Sequence, residues 1–84
     1  MIKELVRIYD AMGISAHQLI LESLHMIDPE HPELVMCDLP QGLWEQILEF
    51  ADAYLTEGME TTYRILPARD QVEAAKRWIE ERRR

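Results

Sequence analysis

Eighty-four residues, 48% hydrophobic and 30% charged with a formal charge of −7, make room for one domain and exclude a disordered chain. No apolar run approaches the roughly 20 residues a membrane-spanning helix needs. The start, Met1 to Arg7, is amphipathic and lacks a signal peptide's apolar core, so a cytoplasmic protein is expected.

Ile2, Leu5, Val6, Tyr9 and Met12 recur at helical spacing opposite Lys3, Glu4, Arg7 and Asp10, which predicts a helix over 2–12 ended by Gly13. Ser15 with Gln18 has the spacing of a capping box, and Ile14 with Leu19 that of a hydrophobic staple, so a second helix is expected over 16–27. Its apolar residues, Leu19, Ile20, Leu21, Leu24, Met26 and Ile27, cover more than one stripe and predict a central helix, or one that faces a partner as well as the core. Pro29 and Pro32 then break the pattern, leaving a linker with one helical turn near 33–36.

Trp44, Ile47, Leu48, Ala51, Tyr54 and Leu55 recur every three or four residues and predict a helix over 42–56, closed by Gly58. Residues 61–66 favour extended backbone with no second strand to pair with, and are expected to form a connection. A last helix over 68–82 carries a narrow stripe, Val72, Ala75, Trp78 and Ile79, with Glu73–Arg77 and Glu80–Arg84 spaced for ion pairs along the helix. The expected fold is all-α: a bundle of about four helices in one domain, 1–84. A domain of this size buries only roughly 60–65% of its unfolded surface, which favours a homodimer.

Charge is segregated along the chain. From Asp10 to Tyr63 there are eleven acids and neither Lys nor Arg, while 76–84 holds five of the nine cations. Such polarity selects partners by sign. The acidic side of the second and third helices, with Glu45, Glu49 and Asp52, is expected to meet a basic protein surface. An exposed apolar strip around Trp78 is expected to meet a second copy or another protein. The tail, Lys76, Arg77, Arg82, Arg83 and Arg84, is expected to dock on the acidic side of a neighbouring subunit.

Rival chemistries have less to stand on. The first two helices resemble a helix-turn-helix unit, with Gly13 at the turn, Ile8, Met12, Ile14 and Leu19 at its core positions and Ser15 opening the recognition helix. That resemblance implies a nucleic-acid-associated regulator. It departs at Tyr9, where such motifs carry a small residue, and at Glu22, where they carry an apolar one. The would-be recognition helix also opens without Arg, Lys, Asn or Asp to read base edges, and phosphates would repel so acidic a body. Glu22 and His25 have the E-x-x-H spacing of di-iron bundles, which implies a metal site only if an oligomer doubles the pair. Cys37, the only thiol, precludes an intramolecular disulfide, and its apolar setting predicts a buried structural residue rather than a nucleophile. Neither a nucleophile turn nor a phosphate-cradling glycine loop is present, so no catalysis, cofactor or bound metal is expected.

Overall fold

A computed structural model describes residues 2–57 and 66–83. It is all-helical, with five helices: α1 (Ile2–Met12), α2 (Ala16–His25), α3 (Glu33–Met36), α4 (Gln41–Glu57) and α5 (Arg69–Arg82). No strand occurs among the described residues. The connection expected over 61–66 lies outside them, apart from Leu66, which belongs to neither helix nor strand.

Local chemistry sets the helix ends. Gly13 takes φ 67°, a left-handed turn that an L side chain rarely adopts, and Ile14 N–H donates to the Tyr9 carbonyl at 3.0 Å to finish α1. Two residues on, Ser15 Oγ accepts the Gln18 N–H at 3.4 Å and opens α2. This helix stops at His25, two residues short of the expected end. There Met26 N–H bonds the Ser23 carbonyl and Ile27 N–H the Leu24 carbonyl, tightening the last turn before Pro29. The turn expected near 33–36 forms as α3 behind Pro32.

α5 is the hub. It lies along α4 and also touches α2 and α3, whereas α1 packs mainly on α2. Leu24, Met36, Ile47, Val72 and Ile79 are fully buried where these elements meet, and Ala74 and Ala75 let α5 approach its neighbours closely. The molecule measures 33 × 32 × 20 Å, so it is about two helices thick.

One side chain joins the start of α5 to the end of α2. Gln71 Oε1 accepts the Ala68 N–H at 2.9 Å, half of a capping box, while its Nε2 donates to the carbonyls of His25 at 3.0 Å and Ile27 at 2.9 Å. A second tether runs from the Tyr54 hydroxyl to the Pro67 carbonyl at 2.7 Å, holding the approach to α5 against α4.

Two burial expectations are overturned. Trp78 is not on an exposed strip: it is 5% exposed, because Val72, Ala74, Ala75 and Ile79 bury a broader face of α5 than the stripe suggested. Cys37 is exposed, since it follows α3 just where Val35 and Met36 have taken the inward positions.

Candidate functional site

The charged residues picked out by the sequence gather where α4 and α5 run antiparallel. Lys76 Nζ stands 2.9 Å from Asp52 Oδ1, and Arg83 Nη2 stands 3.4 Å from Glu45 Oε1. Asp52 and Glu45 are two turns apart on α4, as Lys76 and Arg83 are on α5, so both pairs lie on one seam. The bond to Asp52, and then its charge, raises the Lys76 pKa above its ordinary value.

Aromatic rings also interlock across α4 and α5. Trp44 and Trp78 meet edge to face with centroids 5.0 Å apart, and the Arg82 guanidinium lies 3.8 Å from the centre of the Trp78 ring. The same guanidinium donates to the Trp78 carbonyl at 3.2 Å, and its Nη1 is 3.9 Å from Glu81. Neither buried indole N–H has an acceptor among the described residues, which ties both rings to packing rather than polar recognition.

The basic tail therefore meets α4 acids within its own chain. Lys76 and Arg83 are two of the five cations that were expected to dock on a neighbouring subunit, and the antiparallel course of α5 sets these two against α4 of their own chain. Arg77 stands exposed, and Arg84 lies outside the described residues. Glu73, expected to pair with Arg77, is bonded by Arg69 Nε at 2.9 Å. Of the three α4 acids singled out from the sequence, Glu45, Glu49 and Asp52, Glu49 alone forms no ion pair with a described residue.

Glu49 borders a groove between α2 and α4, about 220 Å³ in volume, lined also by His17, Ile20, Gln46 and Phe50. His17 meets the Phe50 ring edge-on at 6.0 Å, and Phe50 stacks on Tyr54 at 5.9 Å. Only Glu49 of this group was singled out from the sequence. The available signal was Phe50, three residues after Ile47 and four before Tyr54, which widens the apolar face of α4 toward α2.

The remaining candidates stand apart from this groove. Glu22 is half-buried and accepts a hydrogen bond from the Tyr9 hydroxyl. That bond, burial and the carboxylate's charge together raise the Tyr9 pKa. The two residues at which the chain departs from a helix-turn-helix thus make a polar contact between α1 and α2. Ile8 and Met12, two of that motif's core positions, are 48% and 69% exposed. His25 is exposed at the end of α2, and no three His, Cys, Asp or Glu side chains gather among the described residues. No helix among the described residues is long and apolar enough to cross a membrane.

Fold and site define a small all-α bundle with a groove between α2 and α4 that carries one carboxylate, Glu49. No protein-family model matches the chain, and neither does any curated protein or solved structure compared with it.

Proposed function

We propose that this chain is a small acidic interaction module that binds a basic protein surface through the groove between α2 and α4. The observation that supports it is Glu49, a carboxylate outside the α4–α5 ion pairs, beside the apolar and aromatic wall of Ile20, His17 and Phe50. A Lys or Arg side chain suits that combination: its stem lies over the ring and its head reaches the carboxylate. The surrounding charge of −7 speeds the approach of a cation, and the apolar wall slows its departure. The role is one of recognition rather than catalysis.

Titration of the isotopically labelled protein with a short Lys/Arg-rich peptide at low salt tests this by NMR. The expected shifts centre on His17, Gln46, Glu49 and Phe50, and Glu49→Gln weakens binding severalfold. Shifts spread over every surface carboxylate, or binding unchanged in Glu49→Gln, would show general charge attraction and overturn the reading.

A further inference from the structure

We infer that the outer face of α1 is a self-association surface whose partner is the α1 of a second copy of this chain. This goes beyond the basic-partner reading and concerns different residues. The apolar arc of α1 is wider than α2 covers. Ile2 and Tyr9 are buried, but Ile8 and Met12 are 48% and 69% exposed, and Met26, beyond the end of α2, is 39% exposed. Leu5, Ile8 and Met26 converge with Glu4 on a shallow, mostly apolar groove of about 270 Å³. Met12 continues that line one turn further along α1.

Charge decides which occupant fits. The stretch Asp10 to Tyr63 contains no cation, so most of the surface repels another copy of an anionic chain. α1 differs. Its Lys3 and Arg7 balance Glu4 and Asp10, so the helix carrying the uncovered apolar residues is electrically neutral. A strongly basic partner gains nothing from a neutral face, whereas a second α1 offers the same apolar row with the same balanced charge. A two-fold axis near Ile8 sets the helices antiparallel, bringing Leu5 of one copy toward Met12 of the other. That direction also keeps the two Glu4 carboxylates apart, which a parallel pairing would not.

Sedimentation of the full chain over a range of concentrations, at about 0.05 M and 0.5 M salt, tests the inference. The expected result is a monomer–dimer equilibrium that tightens with salt, because screening relieves the repulsion between the two anionic bodies. The double variant Ile8→Glu, Met12→Glu should weaken it at least about tenfold and keep the helical circular dichroism, since neither side chain is buried. Glu49→Gln, in the α2–α4 groove, should dimerise as the unchanged protein does. Should the double variant lose its helix signal, concentration-dependent methyl shifts in the unchanged protein decide: changes centred on Leu5, Ile8, Met12 and Met26 support the pairing. A monomer at every concentration and salt, a dimer unaffected by Ile8→Glu, Met12→Glu, or methyl shifts centred elsewhere would each overturn it.

Discussion

The α4–α5 pair and α1 are both amphipathic, yet they treat their leftover surface in opposite ways. On α4 and α5 the flanking charges close across the seam, Lys76 to Asp52 and Arg83 to Glu45, while Arg82 caps the Trp78 ring. Little there is left for a second molecule. Among the described residues no helix lies along the far side of α1, and Ile8 and Met12 face solvent. A lopsided charge distribution in a sequence is therefore a poor guide to where a partner lands when the chain folds back on itself.

The sharpest way to break this comparison is to delete methyl groups on each side of it. Ile79→Ala empties a fully buried site where α5 meets its neighbours and should cost about 2–5 kcal/mol of unfolding free energy. Ile8→Ala, at 48% exposure, should cost no more than about 0.5 kcal/mol at concentrations where the chain is monomeric. Urea denaturation at low protein concentration measures both. Equal losses would mean that the outer face of α1 is covered within the monomer.

Next in size is Gln71, whose side chain bonds three backbone groups at once. Gln71→Ala strands the His25 and Ile27 carbonyls and the Ala68 N–H. It should lose about 1–2 kcal/mol, the partial exposure of the site letting water take up part of the bonding. Gln71→Glu sharpens the point. It keeps an acceptor for Ala68 N–H but turns both donations into repulsion against carbonyl oxygens, so it should be no more stable than the alanine variant. A glutamate variant matching the unchanged protein would show that only the capping half of the contact matters.

The helices were legible in the sequence because their signals are local. Period, Gly13, Ser15 and the two prolines place α1 to α3 to within a few residues, and the alternation of Trp44, Ile47, Leu48 and Ala51 places α4. Exposure was less legible, because it depends on what lies opposite. The stripe of α5 looked narrow until Ala74 was counted as a contact surface, and only the tertiary fold brings Trp44 edge-on to Trp78. Glu45, Asp52, Lys76 and Arg83 were visible as charges, but whether they pair within a chain or between chains depends on the direction of α5 along α4. Gln71 carried no signal of its own, since its carbonyl partners lie more than forty residues earlier.

The smallest expected effect lies on the alkaline side and again divides α1 from the α4–α5 pair. Tyr9 and Lys76 both have folded-state pKa values raised above 10.0 and 10.5, the first chiefly by its bond to Glu22 and the second chiefly by Asp52. A raised pKa means that the folded state holds the proton more tightly. Each contribution is therefore complete below the unfolded-state value and is lost as pH rises through the folded-state value. These two groups leave stability flat from neutral pH to about 9 and erode it only above about 10. Tyr9→Phe separates the regions. It removes the α1–α2 share, so the alkaline decline should become shallower, and the phenolate absorbance should lose a tyrosine whose ionisation is shifted upward. An unchanged alkaline decline of stability in Tyr9→Phe would mean that the Glu22 carboxylate does not hold the hydroxyl proton. The contact between Tyr9 and Glu22 would then contribute nothing to fixing α1 in place, leaving that to Ile2, Leu5 and Val6.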